Sequence, residues 1–166
     1  IDEIIFVSNT YCIYKKQDEL KELLEPFKGK KIVSIGMKFD DPDIHYTTAN
    51  CDSVYDEIVG HLKKVHGCTK IGFFSANKIQ SQEGWERFEA FKRALNKHGL
   101  DFHSEWVLDG AFTKSSALAE MKQKYHKKED VKYEAIICAN DIMGMAVLDY
   151  FAELGIKIPS EMKVFG

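Results

Sequence analysis

Three side chains suited to holding a polar ligand each follow a predicted strand of this chain of 166 residues. Arg87 follows the apolar segment KIGFF, Phe112 ends the stretch EWVLDGAF, and Asn140 follows AIICA. In an open α/β sheet, the loops beyond the carboxyl ends of the strands line one crevice, so we expect these residues to face a single ligand. A guanidinium group binds hydroxyls or carboxylates, an aromatic ring stacks on sugars or nucleobases, and an amide both donates and accepts. The pattern favours a sensor over a catalyst.

Each of these three residues also has a purely structural interpretation. Arg87 is spaced to pair with Glu83 or Glu86 on its own helix, and spacing alone favours that pairing. Phe112 could equally be a loop aromatic folded onto the core. Asn140 directly precedes a predicted helix, and the sequence alone favours its use as the N-cap.

Composition limits the possible partners. The net charge is −3, with 23 basic and 26 acidic residues interspersed, so the sequence has no basic footprint for nucleic acid. Any contact with DNA is therefore expected from a separate domain. No stretch approaches the roughly 20 apolar residues that span a bilayer, so we expect no membrane partner. A hydrophobic content of 45% is enough for a packed core.

Catalytic and metal-binding patterns are missing from the sequence. It contains no G-x-S-x-G, P-loop, G-x-G-x-x-G or H-E-x-x-H motif. His61 and His66 are five residues apart, which predicts different faces of a helix. The four cysteines lack C-x-x-C spacing, and a reducing cytosol is the simplest setting for them. We expect a cytoplasmic, non-enzymatic protein without a cofactor or a metal ion.

Strands alternate with helices through short joints, which predicts an α/β fold with parallel, doubly wound sheets. A first βαβ unit has strands at residues 4–8 and 31–36. Turn residues and then an extended stretch at 45–48 are interpreted as a crossover between two lobes. Trp85 and Trp106 lie in apolar periodic runs and are predicted core residues. Later predicted elements are a helix over 52–65 capped by Asp52 or Ser53, strand KIGFF, a helix over 81–98, strand SEWVL, a helix from Thr113, strand EAIICA, a helix over 141–154 and strand MKVFG.

The helix IMGMAVLDYFAEL is apolar on nearly every side, which a helix lying on one sheet face does not require. Ile142 and Met145 then face away from the sheet, and a subunit interface is the natural use of that second face. The alternative is burial by other segments of a longer chain. The stripe expected to cover the sheet consists of Met143, Val147, Tyr150 and Leu154.

Several motifs in order resemble the effector-binding core of LacI/GalR-type transcription regulators, whose fold is like that of the periplasmic sugar-binding proteins. The resemblance covers most of the chain. The motifs are H-L-x-x-x-H-G-C-x-K-I-G-F-F at 61–74, R-x-x-A-F-x-x-A-L at 87–95, D-G-A-F at 109–112, A-I-I-C-A-N-D-I-M at 135–143 and L-G-I-K-I-P-S-E-M-K-V-F-G at 154–166.

The resemblance implies type I periplasmic-binding-protein lobes that are incomplete at both ends. Residues 1–48 would belong to the N-terminal lobe and 49–166 to the C-terminal lobe, with a small-molecule effector in the cleft. Arg87, Phe112 and Asn140 match the family's ligand-binding arginine, stacking aromatic and asparagine.

Asn50 and Asp52 lie where the family usually has an Asp-Asn pair at the crossover, so the resemblance makes them further ligand-binding candidates. The helix after Asn140 resembles the one that helps form the family dimer, so we expect a homodimer. Ala90 departs from the family pattern, which has glycine there.

Three alternatives remain open from the sequence. The sensor module could be fused to another signalling output, such as a diguanylate cyclase, a histidine kinase or an AraC-type regulator. It could be an extracytoplasmic solute-binding protein. A doubly wound enzyme with a nucleotide cofactor is the third, although the chain lacks a Gly-rich phosphate loop.

Overall fold

The structure is a computed structural model that describes residues 2–7, 15, 17–76 and 81–166. It contains two parallel sheets, one of three strands and one of four. This confirms the predicted α/β class with parallel sheets. Part of the first predicted strand, Ser8, lies outside the described residues.

The first sheet has the order β1-β2-β3 and consists of β1 (Glu3–Val7), β2 (Lys31–Ile35) and β3 (Ile44–Thr47). Helix α1 (Gln17–Leu24) connects β1 to β2, as the βαβ prediction required. The extended stretch predicted at 45–48 is not merely a crossover, because β3 pairs with β2 along its whole length.

The first sheet is covered on one face only within the described residues. Leu20 and Leu24 of α1 pack with Ile32 and Ile44 in a small core. On the opposite face lie four exposed apolar side chains that form two registered pairs, Ile5 with Val33 and Val7 with Ile35.

The second sheet has the order β5-β4-β6-β7. Every residue of β4 and β6 is buried, as expected for central strands of a parallel sheet covered on both faces. Its elements are α2 (Cys51–His66), β4 (Ile71–Ala76), α3 (Gln82–Lys97), β5 (Val107–Gly110), α4 (Lys114–Lys124), β6 (Ala135–Cys138), α5 (Asp141–Glu153) and β7 (Lys163–Phe165).

Side-chain caps fix where the helices of this second unit begin. Asn50 caps α2 by accepting from the backbone N–H of Ser53 at 3.2 Å, so the prediction of Asp52 or Ser53 as the cap was wrong. Ser81 caps α3 and Thr113 caps α4, the two residues at which these helices were predicted to begin.

Three other local predictions differ from the structure. The strand predicted over 104–108 begins only at Val107, because Ser104–Trp106 forms a 3-10 turn in which the Trp106 ring stacks on His103. Trp85 is 51% exposed rather than a core residue. His61 and His66, which were predicted on different faces of the helix, are in contact, with 3.1 Å between their Nε2 atoms, and His66 is the last residue of α2.

Candidate functional site

The candidate site lies at the carboxyl ends of β4, β5 and β6, which are adjacent in the second sheet. Helices α3, α4 and α5 follow these three strands in turn. Because the strands are parallel, their ends and the succeeding helix starts meet at one edge.

Arg87, on the second turn of α3, reaches across to the end of β6. Its Nη1 donates to the backbone carbonyl oxygen of Ala139, and its Nη2 donates to Oε1 of Glu83. The side chain is 28% exposed. The predicted pairing with Glu83 is therefore present, and the same guanidinium also contacts the sheet edge where the cleft was predicted.

Asn140 uses both ends of its side-chain amide. Its Oδ1 accepts from the backbone N–H of Met143 at 3.0 Å, which confirms the predicted N-cap of α5. Its Nδ2 donates to the backbone carbonyl oxygen of Phe112 at 3.1 Å. The backbone oxygen of Ala139 thus accepts from Arg87, and the side chain of the next residue, Asn140, holds the loop that carries Phe112.

Phe112 has an unusual backbone. Among the described residues it is the non-glycine residue with a positive φ, 57°, a left-handed conformation that most side chains disfavour. Its ring is half-buried and packs partly against the larger core. The core interpretation of Phe112 is thus met in part, and its stacking role stays a prediction.

A cavity of about 200 Å³ lies beside Arg87. Cys51 and Tyr55 of α2 line it together with Ala49 and Ala139. Burial raises the pKa of Tyr55 to about 12, and burial raises the pKa of Cys51 although the Arg87 charge opposes that shift. The cavity therefore presents the cationic guanidinium group of Arg87 and walls that are un-ionised and largely apolar. Sequence analysis assigned Tyr55 only to the apolar side of its helix and did not predict that it lines the cavity. Its place one turn after the crossover could have indicated this.

Asn50 and Asp52 lie in a separate groove between α2 and α3. The groove is also lined by Arg93 and Lys97. Asn50 caps α2, and Oδ1 of Asp52 accepts from Nε of Arg93 at 2.7 Å. Neither residue lines the cavity beside Arg87. The structure joins Asn140 to Phe112 by a hydrogen bond and places Arg87 on the adjacent residue, Ala139. Of these three side chains, Arg87 lines the cavity while Phe112 and Asn140 do not, and Asn50 and Asp52 lie at the neighbouring groove.

The second apolar face predicted for α5 is exposed. Ile142 and Met145 are 50% and 57% exposed, and Leu148, which sequence analysis did not single out, is 43% exposed. The position of Leu148 three residues after Met145 could have predicted that both lie on the same face of the helix. The opposite stripe is in the core, where Met143, Val147 and Tyr150 are buried.

In residues 2–7, 15, 17–76 and 81–166, no three His, Cys, Asp or Glu side chains are arranged to bind a metal ion. Over the same residues, no helix has the length and apolarity to cross a bilayer.

The parallel sheets and the loops at their carboxyl edge define a ligand-binding α/β domain. A sequence profile of the family described as periplasmic binding protein-like domain matches residues 59–166. The chain belongs to this family, and within it resembles the effector-binding domains of LacI-type regulators.

Two relatives are both named HTH-type transcriptional repressor PurR. The protein from Photobacterium profundum is 33% identical over 101 residues, which cover 61% of this chain and 29% of the relative. The protein from Mannheimia succiniciproducens is 26% identical over 170 residues, which cover 100% of this chain and 47% of the relative. The chain thus spans less than half the length of either relative.

Solved structures share the fold. A LacI-family transcriptional regulator from Burkhoderia phymatum superposes with a TM-score of 0.78 at 23% identity, covering 99% of this chain and 56% of that one. A complex of the regulator CelR with cellobiose also gives a TM-score of 0.78, at 21% identity over 99% of this chain and 48% of that one.

Proposed function

We propose that the chain is the sensing part of a cytoplasmic, non-enzymatic transcription regulator of LacI type, which binds a small polar ligand such as a sugar or a nucleoside. The observation that carries this proposal is the meeting of Arg87, Phe112 and Asn140 at the carboxyl edge of one parallel sheet. Ligands of open α/β folds bind at that edge. The family membership and the cellobiose bound by the structural neighbour CelR support a polar ligand.

Arg87 is the central binding group in this proposal. Its guanidinium donates to two protein oxygens, those of Glu83 and Ala139. A guanidinium has five N–H donors, so ligand hydroxyls or a carboxylate can be added to these partners or can replace them. The adjoining cavity of about 200 Å³ provides apolar walls for a ring.

The proposed signal is closure of the two lobes, residues 1–48 and 49–166, around the ligand. A ligand drives closure only as far as it prefers the closed state. We further propose that Ile142 and Met145 on α5 form a homodimer interface, and that a separate domain binds DNA. The net charge of −3 agrees with DNA binding outside this chain.

A thermal-shift screen with matched arginine variants tests the site. The panel contains D-glucose, D-ribose, cellobiose, D-ribose 5-phosphate, sorbitol, guanosine and L-glutamate. A compound that binds only the folded state raises the melting temperature by mass action. We expect at least one compound to do so, and Arg87→Ala to remove the shift.

Arg93→Ala is the control, because Arg93 is on the same helix but pairs with Asp52 in the neighbouring groove. We expect it to keep the shift. Loss of the shift in Arg93→Ala alone would move the site to the groove of Asn50 and Asp52, and no shift for any compound would contradict sugar or nucleoside sensing.

A further inference from the structure

The loop that carries Phe112 is held by a serine outside the predicted ligand set. Ser116, in the first turn of α4, accepts at Oγ from the backbone N–H of Ala111 at 2.9 Å. The same hydroxyl donates to the backbone carbonyl oxygen of Thr113 at 3.0 Å. One hydroxyl group therefore bonds the residue on each side of Phe112.

Thr113 completes this network. Its Oγ1 accepts from the backbone N–H of Ser116 at 3.2 Å and lies 2.9 Å from the Ser116 Oγ, to which it donates. The Ser116 hydroxyl thus uses its one donor and both acceptor positions. Full use of a hydroxyl fixes its rotamer, so the loop backbone meets a rigid anchor on α4 rather than a rotating group.

This anchor matters because Phe112 has a backbone conformation that a phenylalanine does not favour. Its φ of 57° persists only where the surroundings hold it. The surroundings are the Ser116 hydroxyl on both flanks and the Asn140 amide on the Phe112 carbonyl oxygen. Without the serine bonds, Ala111 and Thr113 can rotate and Phe112 can relax to a negative φ, which would turn its ring.

We propose that Ser116 is the positioning residue that sets the orientation of Phe112 and, through it, the affinity of the candidate site for a ring-containing ligand. The affinity part of this inference rests on the proposed sensor function. The positioning part depends only on the hydrogen bonds around Phe112 and is measurable without any ligand.

The first test compares two neighbouring serine variants by amide hydrogen exchange in the protein without added ligand. Ser116→Ala removes the acceptor of the Ala111 N–H, so we expect exchange of that amide to accelerate about tenfold or more. We also expect the backbone carbon shifts of Phe112 to move. Ser115→Ala is the control, because Ser115 is exposed and makes one contact of 3.3 Å with the Thr113 hydroxyl. Alanine has at least the helix propensity of serine, and the cap of α4 is retained in both variants because Thr113 accepts from the backbone N–H of residue 116.

The second test measures affinity by titration calorimetry with D-ribose, cellobiose and guanosine. For a probe that binds the wild-type protein, we expect Ser116→Ala to weaken binding by about 5- to 20-fold, in line with the loss of one or two hydrogen bonds. Ser116→Thr retains the hydroxyl and should restore affinity. In a Phe112→Ala background, Ser116→Ala should have no further effect, whereas general loosening of the fold would weaken binding in both backgrounds.

The outcomes separate this inference from the proposed function. Wild-type exchange at Ala111 and wild-type affinity in Ser116→Ala would overturn the role of Ser116 while leaving the sensor intact. Binding of no probe to the wild-type protein would contradict the sensor, and the exchange of Ala111 would still decide whether Ser116 positions Phe112.

Discussion

The amide of Asn140 joins two parts of the candidate site: its Nδ2 donates to the Phe112 carbonyl oxygen at 3.1 Å while its Oδ1 caps α5. One side chain thus fixes the start of a helix and the loop of the predicted stacking ring. The two roles use different atoms, so they can be separated by substitution.

Asn140→Asp keeps the capping oxygen but replaces the donor with a second acceptor. We expect the free energy contributed by the cap to be retained but the Phe112 loop to be displaced, because two oxygens now face each other. Asn140→Ala should also lose the cap, at a further cost of about 1 kcal/mol. Urea unfolding measures the stability, and amide exchange at Ala111 and Phe112 reports the loop. The matched control is Asn50→Asp, because Asn50 caps α2 through the same kind of bond. Equal loop exchange in Asn140→Asp and the wild type would contradict the bridging role.

Cys51 provides a footprint of the cavity beside Arg87, which it lines. Burial raises the pKa of Cys51, and burial raises the pKa of Cys138 to about 12, so Cys138 stays a thiol at neutral pH. We expect iodoacetamide at neutral pH to alkylate Cys51 slowly and Cys138 hardly at all. A saturating amount of a panel compound that stabilises the protein should slow the reaction of Cys51. Peptide mass spectrometry assigns each cysteine. An unchanged rate at Cys51 would mean that the compound binds elsewhere.

The contacts of Glu134, which lies away from the candidate site, predict that the stability of the fold decreases in acid. Its Oε2 accepts from the backbone N–H groups of Thr69 and Lys70 at 2.8 and 3.1 Å, joining the starts of β4 and β6. Burial raises the pKa of this carboxyl, but the two N–H donors and the Lys70 charge together lower it below 4.5. A carboxyl whose pKa is lowered by folding stabilises the fold at pH values above its unfolded-state pKa. This stabilisation is lost as the pH falls through the folded-state pKa.

Glu134→Gln should therefore lower the unfolding midpoint at pH 7 and flatten its decline between about pH 5 and pH 3. Urea unfolding across that range is the measurement. Glu153→Gln, at an exposed position on α5, is the control and should follow the wild-type profile. A Glu134→Gln profile parallel to the wild type would show that the carboxyl does not titrate with folding.

The dimer proposal predicts a change of mass in solution. Met145→Lys puts a charge on the exposed face of α5, so the proposed dimer should dissociate to a monomer while the melting temperature of each subunit changes little. Size-exclusion chromatography with light scattering measures the mass. Val65→Lys introduces the same charge at an exposed position of α2 and should leave the mass unaltered. A persistent dimer in Met145→Lys would place the interface elsewhere.

Sequence analysis predicted most of the fold because the central strands of the second sheet are apolar throughout and its helices have clear periodicity. The start of α5 at Asn140 followed from capping chemistry, and the start of α3 near Ser81 followed from the helical spacing of its apolar residues. The prediction for Trp85 failed because a place in an apolar run does not show which way the ring faces. The Trp85 ring lies outside the core, next to Phe88.

The candidate site was predictable only in part. The position of Arg87, Phe112 and Asn140 after three strands followed from topology. The contacts among them did not, because the Asn140–Phe112 bond joins residues 28 positions apart and depends on a left-handed backbone at Phe112. Ser116 gave no signal, since a serine in the first turn of a helix is common.

The face of the first sheet opposite α1 affects how this chain behaves when it is purified. Ile5, Val7, Val33 and Ile35 form a strip of exposed apolar side chains in two registered pairs on that face. Such a strip promotes aggregation, which would compete with the specific pairing proposed for α5. Replacing Val33 and Ile35 with threonine should raise solubility without touching either the Arg87 cavity or α5, and would make a suitable background for every titration described above.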